Sequence, residues 1–260
     1  MPTFLLEPGD FRLLDGQRLV VRKSFSGRVR GERLTQKKGI SIEFADYRDY
    51  TEGDDLRHID WNVLARLGNE VIKTYRDEED LAVYLLVDTS ESMAFGEPTK
   101  VAWAAKAAAA LAYVALCNGD AVILRVLGNR ERGKPTLRGR SSYPRLARWL
   151  TELAPGGDRT FSTAIRELAA SDSRPGLVLI LSDALDPGGS QALRVLAGRG
   201  HEVCLLQALS PEEIDPDLEG DLKLIDSESE GYVEVTANRY ALESYHANLL
   251  SHCDCLRSTC

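Results

Sequence analysis

Four short runs of almost uninterrupted apolar residues constrain this chain most: Leu81 to Val87, Ala121 to Leu127, Leu177 to Leu181 and Glu202 to Ala208. Runs of this length, without the alternation of a half-exposed sheet, are expected of strands covered on both faces. Helical stretches separate them: Thr99 to Cys117, Tyr143 to Leu153, Thr160 to Ala170 and Ser190 to Ala197. Pro155-Gly156-Gly157 breaks the second helix from the third, and Gly198 and Gly200 close the fourth. Buried strands alternating with helices imply a three-layer α/β fold, a doubly wound and mostly parallel sheet. A short strand at Thr136-Leu137-Arg138, a hairpin of Leu222 to Asp226 with Tyr232 to Val235, and a helix from Asn238 to His252 complete it.

The first eighty residues read differently. Between Arg12 and Lys38 nine Lys/Arg stand against two acids, Asp15 and Glu32, as in a solvated basic arm packed on an acidic neighbour. Lys38 to Tyr50 and Glu70 to Tyr75 alternate as short strands do, with turns at Gly53-Asp54-Asp55 and Gly68-Asn69. The expected division is an N-terminal segment, residues 1–80, of strands and loops packed on a main domain, residues 81–260.

The net charge of −8 argues against a nucleic-acid binder or an anionic-membrane binder. Val101 to Cys117 is Ala-rich, interrupted by Lys106 and short of a bilayer span of about 20 residues. It is expected as core, with no membrane span. Met1 to Leu6 is followed by Glu7 and Asp10 instead of the apolar stretch of a secretory signal. Five cysteines, Cys117, Cys204, Cys253, Cys255 and Cys260, form no disulfide framework, which points to the cytoplasm. His252-Cys253-Asp254-Cys255 lacks the paired spacing of a zinc site, so free thiols are expected there.

In a doubly wound sheet, ligands bind beyond the carboxyl ends of the strands. Asp88 occupies that position after the first buried strand and Asp183 after the third, while Ser90 and Ser92 follow Asp88 at alternate positions. A carboxylate with two hydroxyls on one loop is a hard-oxygen donor set suited to Mg²⁺ or Mn²⁺. The competing reading is an ordinary helix N-cap, which uses the same residue types.

The Asp88-x-Ser90-x-Ser92 loop resembles the metal-ion-dependent adhesion site of the von Willebrand factor A family. That resemblance implies a Thr from a second loop and an Asp from a third. Asp183 fits the Asp. Gly156-Gly157-Asp158-Arg159-Thr160 resembles the family's Gly-Gly-Thr stretch with an insertion, making Thr160 the candidate, with Asp158 and Thr163 in reserve.

The residues before this loop are similar to the family catalogued as domain of unknown function fifty-eight. They are Glu43 to Tyr50, Gly53 to Asn62, Ala65-Arg66, Val71, Tyr75, Glu78 and Glu79. The resemblance implies a non-enzymatic partner of a MoxR-type AAA+ ATPase in complex assembly or metal-centre maturation. By their chemistry, Asp54, Asp55, Arg57, Asp60 and Arg66 around Tyr47, Tyr50 and Trp61 suit either of two roles. They can lock an irregular segment in place through Arg–carboxylate pairs, or form a partner surface. His58 lacks a Ser or Cys nucleophile motif around it and is expected to be structural.

The expected function is therefore a metal-dependent protein-interaction module, with a partner carboxylate completing the metal shell and no turnover. One alternative is a Mg²⁺-dependent phosphohydrolase with Asp88 as nucleophile. Against it, Ser90 stands where such enzymes carry a second Asp, and the required lysine would have to be Lys100 or Lys106. The other is a scaffold with a vestigial metal site. Neither a Walker A run nor Gly-x-Gly-x-x-Gly follows any strand.

Overall fold

The computed structural model describes residues 5–22, 43–51, 54, 56–76, 81–129, 133–157, 159–226 and 231–259. It divides into two compact units, Met1–Phe25 with Leu81–Cys260, and Ser26–Asp80. Helix α1 (Pro8–Leu14) belongs to the larger unit, so residues 1–25 fall with 81–260 and the division at residue 80 encloses only residues 26–80. Pro8 opens α1, and Glu7 and Asp10 exchange capping bonds with each other's backbone N–H. Phe11 stacks edge-on against Tyr113 and Tyr143, and the Asp15 carboxylate accepts the Tyr113 hydroxyl at 2.7 Å.

The smaller unit is an antiparallel pair, β1 (Glu43–Asp49) and β2 (Val71–Arg76), with helix α2 (Trp61–Leu67) between them. Asp60 caps α2 by accepting the N–H groups of Asn62 and Val63, and it also accepts the Tyr47 hydroxyl at 3.0 Å. Gly68, left-handed at φ +70°, ends the helix where a side chain would be strained. Arg48 grips Asp54 bidentately at 2.6 and 2.7 Å, and those hydrogen bonds hold the Asp54 carboxyl down to about 2. Residues 23–42, most of the basic arm, lie outside the described residues, as do Asp55 and the side chain of His58.

The larger unit continues with β3 (Ala82–Val87), α3 (Lys100–Cys117), β4 (Ala121–Val126), β5 (Thr136–Arg138), α4 (Tyr143–Thr151) and α5 (Phe161–Ala170). Then come β6 (Leu177–Ser182), α6 (Gly189–Gly198), β7 (Glu202–Gln207), α7 (Pro211–Ile214), the hairpin β8 (Gly220–Ile225) and β9 (Tyr232–Ala237), and α8 (Arg239–Arg257). Five strands form one sheet in the order β5-β4-β3-β6-β7, parallel except for β5 at the edge. The doubly wound, mostly parallel sheet is thus present, with helices on both faces.

Burial explains the strand sequences. Val83, Leu85 and Val87 of β3 point into the layer under α3 and α4, while Ala82, Tyr84 and Leu86 point into the layer under α5 and α6. All six are buried, so no alternation is possible. Ala104, Ala108, Ala112 and Ala115 give α3 a small-residue stripe that lies close on the sheet. This helix is long and apolar enough to cross a membrane by composition, and 61% of it is buried within the fold. The β8–β9 hairpin forms its own two-stranded sheet, with Leu222, Leu224, Val233 and Val235 sharing one face.

Candidate metal centre

Three loops meet beyond the carboxyl ends of β3 and β4. The Gly156 N–H donates to the Thr89 carbonyl at 2.6 Å, and the Thr89 hydroxyl donates to the Gly156 carbonyl at 3.3 Å. A Cβ on Gly157 would stand 2.2 Å from the Gly128 carbonyl oxygen, and one on Gly128 would stand 2.8 Å from the Thr89 hydroxyl. Only glycine permits this approach. The Gly-Gly turn is therefore the piece that closes the loops together.

Asp88 leaves β3 with its N–H donating to the Leu181 carbonyl of the neighbouring strand. Its carboxylate is 2% exposed and accepts the Ser90 N–H at 2.9 Å and the Ser182 hydroxyl at 2.5 Å. Both donors are neutral. Burial pushes the Asp88 carboxyl above the usual carboxylate range, and the nearby Asp183 charge adds to this, against the hydrogen bonds from Ser182 and Ser90. The Ser90 and Ser92 hydroxyls lie 2.9 Å apart, and Ser90 makes no capping bond to the short 3₁₀ turn Glu91–Ala94 that follows. Asp88, Ser90 and Ser92 thus gather as an all-oxygen group around a buried anion that lacks a cationic partner among the described residues. That donor chemistry fits a hard divalent ion.

The structure puts Asp183 on the adjacent strand end, 4% exposed, with a partner the sequence did not assign to it. The Lys100 ammonium meets Asp183 Oδ2 at 2.8 Å and Glu213 Oε1 at 2.5 Å, and the lysine is 3% exposed. Burial acts to lower the Lys100 pKa, but the two carboxylates outweigh it and hold the charge on the amine. The Gln207 side chain donates to the Asp183 carbonyl at 3.0 Å, and Ala184 next to it adopts a left-handed φ of +52°. His252 stands 2.8 Å from the Ala184 carbonyl, a structural contact for part of the His252–Cys255 stretch. Cys117, Cys204, Cys253 and Cys255 are free thiols.

Thr160 stands at the start of α5. It caps α5, accepting the Thr163 N–H at 3.3 Å, and its hydroxyl lies 2.9 Å from that of Thr163 and 3.3 Å from that of Ser162. Thr163 lies in the first turn of α5 with its N–H capped by Thr160, and Asp158 lies outside the described residues. Two residues escaped the sequence reading. Ser182, wholly buried, links Asp88 to Ala184 and was signalled only by its position before Asp183. Asp186 accepts the N–H groups of Ser162 and Gly188. Burial acts to raise its carboxyl, yet those bonds bring it below the usual range. It ties the Asp183 loop to the start of α5.

The family described as "Protein of unknown function DUF58" matches residues 46–253. An uncharacterized protein of Mycobacterium bovis and one of Mycobacterium tuberculosis are each 32% identical over 219 residues, 81% of this chain and 68% of the relative. Among solved structures, the conserved hypothetical protein BatB from Bacteroides thetaiotaomicron aligns at a TM-score of 0.41 and 16% identity, covering 65% of this chain and 86% of that one. A von Willebrand factor type A protein from Catenulispora acidiphila aligns at 0.34 and 18% identity, covering 52% of this chain and 34% of that one.

Proposed function

Because the chain belongs to the DUF58 family, whose signature precedes a strand-end oxygen cluster here, we propose that it is a cytoplasmic, non-enzymatic protein-interaction module dependent on Mg²⁺ or Mn²⁺. The observation that carries the reading is Asp88, a 2% exposed carboxylate whose hydrogen-bond donors are all neutral, beside the paired hydroxyls of Ser90 and Ser92. An isolated buried carboxylate is unfavourable, and a cation is the usual remedy. Asp88, Ser90 and Ser92 would hold the ion. Asp183 supplies field from beside it, already paired with Lys100. Three carboxylates against one ammonium leave an excess of negative charge, which a divalent ion would balance. Once bound, the ion supplies an electrophilic position that a carboxylate of the partner can fill.

In this reading the chain's own work is positioning. Ser182 and the Ser90 N–H fix the Asp88 carboxylate, and the Thr89–Gly156 bonds fix the loop around it. The partner we propose is a MoxR-type AAA+ ATPase, on the family resemblance of Glu43 to Asn62. The hydrolase alternative is weakened by Lys100, which is held by two carboxylates and buried away from an incoming phosphate. Thermal unfolding of wild type and Asp88→Ala, with Mg²⁺ and with chelator, tests the metal. Wild type alone should gain from Mg²⁺, about 2.7 kcal/mol at a hundredfold excess over Kd. Equal gains in both proteins would sink the metal reading. Co-purification of an AAA+ ATPase that is lost in Asp88→Ala tests the partner.

A further inference from the structure

We propose that the groove between the edge strand β5 and helix α4 binds an acidic, extended segment of a partner protein. From Gly128 to Arg148 the sequence carries seven Lys/Arg against one acid, Glu131, in a chain whose net charge is −8. The described residues gather part of this excess around a groove of about 700 Å³. Its lining includes Lys134, Leu137, Arg145, Arg148, Trp149 and Glu152. Lys134, Arg145 and Arg148 are exposed, and none of the three has a carboxylate partner among the described residues. Some exposed arginines of this unit do find one: Arg140 with Asp15, Arg239 with Glu243, Arg257 with Asp254. Among the described lining residues three cations thus face one acid, Glu152.

The shape of the groove selects the kind of acidic ligand. Among the described residues β5 ends the five-stranded sheet, and the Arg138 carbonyl at its end already accepts the Ser142 hydroxyl at 2.6 Å, so the ligand is held by side chains of the groove and not as an added strand. Arg145 and Arg148 lie three residues apart on α4, a separation of about 5–6 Å on a helix surface. Alternate side chains of an extended peptide repeat at roughly 6.6 Å. A Glu-x-Glu segment therefore meets both guanidinium groups, with Lys134 available to a third carboxylate. Trp149 and Leu137 supply the apolar floor, and arginine with tryptophan is the pairing that carries energy at protein interfaces. A nucleic acid is disfavoured, since three cations on a strongly acidic chain offer few phosphate contacts. The groove lies at the β5 edge, two strands from Asp88 on β3, and needs no metal.

The test is fluorescence anisotropy of a fluorescein-labelled alternating Glu-Thr peptide with the full chain at low salt, in Mg²⁺ and in EDTA. Wild type should bind, more weakly as salt rises, and equally in Mg²⁺ and EDTA. The double reversal Arg145→Glu with Arg148→Glu should weaken binding roughly tenfold or more. Lys134→Glu alone should weaken it less, and serves if the double variant unfolds. Arg194→Glu with Arg199→Glu, an equal charge change on exposed sites of α6 and its end, should leave binding within about twofold. Equal losses from both double variants, no binding by wild type, or tighter binding of a thymidine decanucleotide would each overturn the proposal. So would concentration-dependent self-association abolished by the Arg145/Arg148 reversal, which would assign the groove to a second copy. Loss of Mg²⁺ stabilisation with peptide binding intact would count against the metal reading alone.

Discussion

Lys100 and Asp88, both within reach of the Asp183 charge, carry opposite problems. Lys100 is a buried cation with two anions, whereas Asp88 is a buried anion with neutral donors. Replacing Lys100 by Met leaves Asp183 buried without its counter-ion, a loss of about 3–5 kcal/mol and a fall in Tm of roughly 10 °C. Thermal unfolding would measure it, and Mg²⁺ should recover part of the loss if the cluster binds cations. An unchanged Tm would mean the pair contributes nothing. Asp88 predicts a pH dependence. Its folded carboxyl titrates above its unfolded value, so its contribution to stability is full below that unfolded value, about 3.9, and is lost as pH rises through the raised one. In chelator, Asp88→Asn should therefore lose less stability than wild type between pH 4 and 8 in urea titrations; parallel curves would contradict this. Asp88, Ser90 and Ser92 were legible because they sit within one loop. Lys100 was not, since its partners lie 83 and 113 residues away in sequence.

At the level of elements, the Gly-Gly turn before α5 is where small changes cost most. Gly157→Ala brings a Cβ onto the Gly128 carbonyl at a φ of +152°, and the loop must move away from Thr89. We expect a loss of about 2 kcal/mol or more in urea unfolding together with weaker Mg²⁺ stabilisation. Gly133→Ala, with no neighbour near its Cβ, is the silent control. In the smaller unit, Asp60→Ala removes two backbone caps and the Tyr47 bond, which predicts about 1–2 kcal/mol of destabilisation. Cleavage by protease within Trp61–Leu67 should rise accordingly. The strands of the large sheet were legible because burial on both faces leaves long apolar runs. The short helices α1 and α2 were not. Each is only seven residues long and carries no buried residue, so their caps are the main mark. Thr160 stands at the start of α5 and caps that helix by accepting the Thr163 N–H.

For the molecule as a whole, two units with separate internal packing predict more than one unfolding step. Trp61 lies in the smaller unit, so a variant with Trp103→Phe and Trp149→Phe reports on that unit alone. Its fluorescence transition in urea should precede the far-ultraviolet circular dichroism transition of the sheet; coincident midpoints would show one cooperative body. The strand order has a further effect. β3 can pair with β4 as soon as residues 121–126 are available, but its other neighbour β6 begins at Leu177. The Asp88 carboxylate waits for Ser182, and Lys100 waits for Glu213. During synthesis the chain therefore holds half a sheet and an unfinished pocket while most of its C-terminal half is still being made. A ribosome-bound chain stalled before residue 177 would have the loop's residues without the Ser182 bond that fixes Asp88, and the cluster closes only as β6 slots in beside β3.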